Sequence, residues 1–485
     1  MKTRILLVSA ILICMSCKQQ DNLEKESSSD SKAQLMRSTL SKTFDAVDFP
    51  KGFDYPRDSK YLFQITQDVN VKAQREHGWH LFAGATQPSI PGDPESLPIF
   101  QTWFGEDETF AKEDTESLNK IRTFTIKMSP PTQLLLSDDN PLRNALKTTG
   151  IIPEDRWDPD LNQVSTVNGK SLQSAHNGPA ATFSHVLFNK TMHNFIRDNK
   201  YYSKKQLNTL IDPAVVRKSI KPTPPGSISM KISWWPIAKE GLTALPVWDF
   251  DPRFPGDAKN PPNDWKRIVV VDPTGKNDAP PSFDFNKRTF NNPKKVGLEN
   301  FYYEQLTDEE AQAANANWRL LAAANTVLGR ALQGGDYIVM VAMHINTVEF
   351  SPWVFTSFWW HDKPNESEWA EFRTNDVKGK WANYLMGVSY NINTPREPNG
   401  NADIIYNPYL ELFQAGGTRT SCMSCHARAA YSPTMRASYN PKITGTTDPK
   451  GFIPIPDGAN DPAFKTGTLN LNTIWTIQTR SNNDE

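Results

Sequence analysis

Residues Ser421-Cys422-Met423-Ser424-Cys425-His426 contain a Cys-x-x-Cys-His, the part of this chain best suited to chemistry. Two thiols at that spacing can add to the two vinyl groups of one porphyrin, and the adjacent imidazole then falls over the iron as an axial ligand. The pattern is the attachment signature of a c-type haem. It stands out because the chain has only four cysteines in 485 residues. Two blander readings compete with it. One is a lone Cys422–Cys425 disulfide. The other is a zinc site, which is weaker because no second cysteine pair completes a closed tetrahedral shell.

The other two cysteines lie at the opposite end of the chain. Met1-Lys2-Thr3-Arg4 is a basic start, and residues 5–15 (ILLVSAILICM) form an apolar stretch too short to span a bilayer. Ser16-Cys17 follows, as in the lipobox of bacterial lipoproteins, although Cys14 stands where leucine is usual. This predicts a signal peptide over 1–16, with lipidation of Cys17. An ordinary secretory peptide or an uncleaved anchor is the alternative. All three readings put the body outside the cytoplasm: periplasmic or at the cell surface and, with the lipid, anchored to a bacterial membrane. Residues 17–47 are polar and Ser-rich at their start and read as a flexible tether. Cys14 and Cys17 both belong to export, so the mature body keeps only Cys422 and Cys425. A structural disulfide framework is excluded.

A formal net charge of -1 gives no basic field for nucleic acid. Thirty-seven prolines predict long ordered loops, and fourteen tryptophans predict aromatic-rich packing. Helical spacing suggests helices near Val69 to Phe82, from Phe183 to Asn199, and from Ser203 (as N-cap) to Ile211. The strongest is Asn317 to Leu332, ended by Gly334-Gly335. Ile228 to Pro236 alternates, with Ile228, Met230, Ile232 and Trp234 on one face and Ser229, Lys231 and Ser233 on the other. Trp265 to Asp272 is β-branched and extended. Tyr337 to Asn346 and Trp353 to His361 should pair as an antiparallel hairpin. The expected fold is α+β: an antiparallel-sheet-rich body over 48–415 with short helices and long Pro-rich loops. A haem-attachment segment over 416–485 packs on it.

That segment is not expected to fold as a small cytochrome domain. Only 59 residues follow His426, and the last methionine is Met435. The haem should therefore seat against the body. Candidates for the second axial ligand are Met435, His344 and His361, and an empty position is also open. His344 and His361 lie on the hairpin; pairing 346 with 353 would set them about 20 Å apart, too far to share one iron. His77 and His80 form a weak metal pair, and His176, His185 and His193 read as structural. Trp234-Trp235 and Trp359-Trp360 read first as core and only second as pocket lining.

Several stretches resemble exported bacterial cytochrome c family proteins with a large N-terminal body and one C-terminal haem motif. They are GWHLFAGATQP with FQTWF near 78–104, HVLFNKTMHNFIRDN near 185–199, ISMKISWWPI at 228–237, MHINTVEFSPWVFTSFWWHD at 343–362 and SCMSCHARA at 421–429. The resemblance implies one covalent haem c held by Cys422 and Cys425, with His426 on the iron, and electron transfer with an unidentified redox partner protein. The rival expectation is a haem enzyme, peroxidase- or oxygenase-like, with an open iron face. A sensor or binding module with structural haem is a third. No catalytic residue is identified from the sequence.

Overall fold

Ile228–Ile237 and Tyr337–Thr347 form two long strands, and the body is built on them. A computed structural model describes residues 46–53, 55–111, 183–216, 218–249, 266–286, 288–315, 318–349, 353–390, 405–411, 422–433 and 466–481. The fold is α+β, with an antiparallel-sheet-rich body. Strands of the principal sheet are β1 (Phe104–Gly105), β2 (Phe183–Phe188), β3 (Ile228–Ile237), β4 (Tyr303–Gln305), β5 (Tyr337–Thr347), β6 (Val354–Trp360) and β7 (Tyr384–Tyr390). Their order is β1-β2-β3-β5-β6-β7, and β4 pairs with the start of β5.

The alternation in β3 is realised as two faces. Met230 and Ile232 belong to the larger apolar core, joined there by Met343, Ile345, Phe358 and Val388 from neighbouring strands. The helix expected near Val69 to Phe82 is α2 (Val71–Ala85), and a further helix, α1 (Ser59–Gln67), precedes it. Asn70 caps α2 through its side chain, which accepts from the Ala73 amide at 3.1 Å. Gly78 lets α2 close onto this core face: a Cβ there would sit 3.3 Å from the Met386 sulfur and 3.3 Å from a Thr356 methyl.

Ser229, Lys231, His344, Asn346, Phe355, Ser357 and Ser389 share the opposite face by register. The core over this part of that face contains Phe188, Phe355, Ile405, Cys422, Met423, Trp353 and Trp475. The described parts of the C-terminal segment, 422–433 and 466–481, thus pack on the body, as expected.

Three sequence expectations need correcting. Phe183 to Asn199 is not one helix. Phe183–Phe188 is strand β2, and only Lys190–Asp198 (α3) is helical. Asn189 makes the break. Its side-chain oxygen accepts from Met192 and Ile228 amides at 3.1 and 2.9 Å, so it caps α3 while it anchors the start of β3. Pairing with β3 outweighs any local helical preference in so short a run. The helix α5 (Trp318–Leu328) stops earlier than expected, at Gly329 with φ of +68°. The third correction is the hairpin register: Asn346 faces Phe355 and His344 faces Ser357, a shift of two residues. The expected cap at Ser203 is present, accepting from Gln206 at 3.1 Å at the start of α4 (Lys204–Leu210).

Candidate haem-attachment site

Cys422–His426 forms a short helix, α6, which places position 426 one turn from position 422. Cys422 is buried. Cys425 lies on the same helix, and its side chain is outside the described residues. After α6 the chain enters a two-residue strand, Ala430–Tyr431, which pairs with Leu469–Asn470; that strand pairs in turn with Lys218–Ser219. The Leu471 amide donates to the Ala429 carbonyl at 3.0 Å. These bonds bring the turn at 472–473 beside His426.

There the Thr473 carbonyl accepts a hydrogen bond from His426 Nδ1 at 2.9 Å. A carbonyl can only accept, so Nδ1 carries the proton. In a neutral ring this leaves the Nε2 lone pair as the donor to a metal. A second ring N–H held by a backbone carbonyl is the usual support of a metal-bound histidine. The ring is neutral near pH 7: burial, above all, pushes its pKa down to about 4, with the Lys231 charge adding to this and the Thr473 bond opposing it. Thr473 adopts φ of +72° and Asn472 +47°. A β-branched residue in the left-handed region is strained, and the strained peptide is the one that orients the imidazole.

The wall facing His426 comes from the sheet. Its ring lies 4.8 Å from the Phe355 ring, centroid to centroid, tilted by 50°. His344 lies on the same sheet face as Phe355, opposite Lys231 on β3 and Ser357 on β6. Its Nε2 is buried without a hydrogen-bond partner, as are the Ser389 hydroxyl on the same face and the Thr473 hydroxyl. Burial keeps His344 well below the usual histidine range, and the charges of Lys231 and His426 push the same way. Glu411 belongs to the same electrostatic group. Burial raises its carboxyl to about 7, against the opposing pull of the Asn407 amide and Lys231. Buried polar atoms without partners are uncommon in folded proteins, and the His344 Nε2 and Ser389 hydroxyl share this face. The described residues fit a haem: a buried Cys422, an imidazole oriented through its Nδ1, an apolar wall and unpartnered polar atoms beside it.

Other sequence candidates fall elsewhere. His361 Nε2 lies 3.1 Å from Asp249, and its Nδ1 accepts from the Lys363 amide at 3.0 Å. Both ring nitrogens are engaged, four residues beyond the partner of His344, roughly 13 Å along the ladder. Met435, His176 and Cys17 lie outside the described residues. His77 bonds the Tyr390 hydroxyl at 2.6 Å and reaches Glu349 at 3.4 Å, so it is turned to the interior rather than paired with His80. His185 takes the Trp234 indole N–H at 3.3 Å, and His193 bonds Thr109 at 2.9 Å. Trp234, Trp235, Trp359 and Trp360 belong to the larger core, not the core of Cys422. Among the described residues no group of three or more His, Cys, Asp and Glu could hold a metal ion, and no helix is long and apolar enough to cross a membrane.

Sequence reasoning missed Thr473, Phe355, Lys231 and Glu411. Phe355 and Lys231 were accessible through strand parity and the correct register. A backbone carbonyl 47 residues from its partner carries no signal in residue types.

No protein-family model matches the chain, and none of the curated proteins or solved structures matches it.

Proposed function

We propose that this protein is an exported, membrane-tethered mono-haem c-type cytochrome that passes single electrons outside the cytoplasm. Cys422 and Cys425 hold the porphyrin through thioethers, and His426 Nε2 binds the iron. The observation that carries this reading is the His426 Nδ1 bond to the Thr473 carbonyl, made within a Cys-x-x-Cys-His whose first thiol is buried. When bound, the haem supplies a one-electron iron couple. The chain sets the potential through axial ligation, burial and nearby charge. Phe355, Met423 and Trp353, buried in one core with Cys422, would limit the access of water to a haem held there.

The test is production of the protein with haem-maturation machinery, followed by denaturation and solvent extraction of haem. Colour retained on the polypeptide in the native sequence and lost in the Cys422→Ser/Cys425→Ser double variant is the expected result. A colourless native protein under conditions that mature another c-type cytochrome would overturn the proposal.

A further inference from the structure

The second long strand carries a feature the attachment motif does not use. Met340 faces Trp234 on β3, yet Ala342 faces Ser233, so Val341 is an extra residue, a β-bulge. Side chains alternate along a strand, so one inserted residue transfers everything after it to the other face. Met340 belongs to the larger core. Without the bulge, His344, four residues on, would point into that same core. With it, His344 stands beside Lys231 and Ser357, on the face that Phe355 shares with His426. Bulges that re-aim a side chain are common next to functional sites. Here the residue re-aimed is a histidine whose buried Nε2 has no hydrogen-bond partner.

We infer that His344 is the second axial ligand, giving a bis-imidazole haem clamped between the C-terminal helix and the central strand of the sheet. The inference rests on the haem reading above. It makes the large body part of the iron site, since one ligand comes from the motif and the other from β5. His361 cannot take this role because both of its ring nitrogens are engaged.

The experiment is optical and electron paramagnetic resonance spectroscopy of the ferric and ferrous holoprotein. The native protein is expected to be six-coordinate, low-spin and indifferent to carbon monoxide. His344→Ala keeps its covalent haem, loses the low-spin signal and binds carbon monoxide, and added imidazole restores the low-spin signal. Met435→Ala and His361→Ala stay low-spin. If His344→Ala does not fold, His344→Met keeps a ligating atom at similar volume and shifts the spectrum to a methionine-ligated form with a raised potential. A native protein that is high-spin, or a low-spin signal unchanged in the folded His344 variant, overturns the inference and leaves the attached haem intact. Absence of covalent haem in the native protein instead removes the reading beneath it.

Discussion

At the scale of single residues, the site depends on one backbone carbonyl. Thr473 orients His426 through its main chain while its own side chain is poorly placed: φ is +72°, and the buried hydroxyl has no partner. Glycine accepts that conformation without strain. Replacing Thr473 by glycine removes strain of roughly 1–3 kcal/mol, against about 0.5–1 kcal/mol for the greater freedom of the unfolded chain. The expected outcome is an apoprotein about 1 kcal/mol more stable in urea. A loss of stability would mean that the side chain contributes more than its backbone costs. The thiols and His426 were legible in the sequence because their spacing is the chemistry. Thr473 was not, because any residue has a carbonyl and only the return of the chain through Leu469–Asn470 sets this one in place.

At the scale of elements, polar side chains tie the layers together at the edge of the sheet. Glu349, just after β5, is fully buried. It accepts from the Arg57 amide at 2.7 Å and the Thr347 hydroxyl at 2.6 Å, and lies 3.4 Å from His77 on α2. His77 in turn bonds Tyr390 on β7. One carboxylate therefore links the segment before α1, the β5–β6 turn and the helix on the core face. Glu349→Ala leaves these donors buried without an acceptor and is expected to destabilise the fold by about 3 kcal/mol, read as a lower urea midpoint. A change within 0.5 kcal/mol, the usual range for surface substitutions, would show that water replaces the carboxylate. Sequence periodicity was sufficient for β3, β5 and β6, whose alternation or β-branched content is plain. It failed for Phe183–Phe188, where six residues cannot separate the two periods and pairing with β3 decides. The bulge at Val341 was equally hidden, since no residue type marks it and the register alone reveals it.

At the scale of the whole molecule, the buried titratable groups give the apoprotein a characteristic acid response. Unfolded histidine titrates near 6.5, and His426 in the fold titrates near 4, with His344 also depressed. Between these values the unfolded chain binds more protons, so stability is lost as pH falls from about 6.5 towards 4. Glu411 works in the opposite sense. Its carboxyl is raised to about 7, so from roughly 4.5 to 7 the folded state holds the extra proton and stability falls as pH rises. Glu411→Gln removes this counterweight. Its stability should fall more steeply between pH 6.5 and 4.5 than that of the native sequence, measured by urea midpoints across the range. Parallel curves would show that Glu411 is ionised in the fold. At the other end of the chain, the proposed lipid anchor predicts that Cys17→Ser releases the protein from membranes into the soluble fraction. Continued sedimentation with membranes would remove the anchor from the proposal.

The sequence by itself determined the chemistry on offer. Two thiols and an imidazole at fixed spacing define what they could hold, and the alternation in β3 and the hairpin define a sheet with one apolar and one polar face. These are local properties, written in residue type and period. The tertiary structure alone decided which groups meet. The small sheet brings Thr473 under His426, the hairpin register sets His344 opposite Ser357 rather than Phe355, and one bulge turns that histidine out of the core towards the motif. Each of these depends on a register or a chain return across tens of residues. The Cys-x-x-Cys-His is therefore legible at sight, and the sheet that faces it is not.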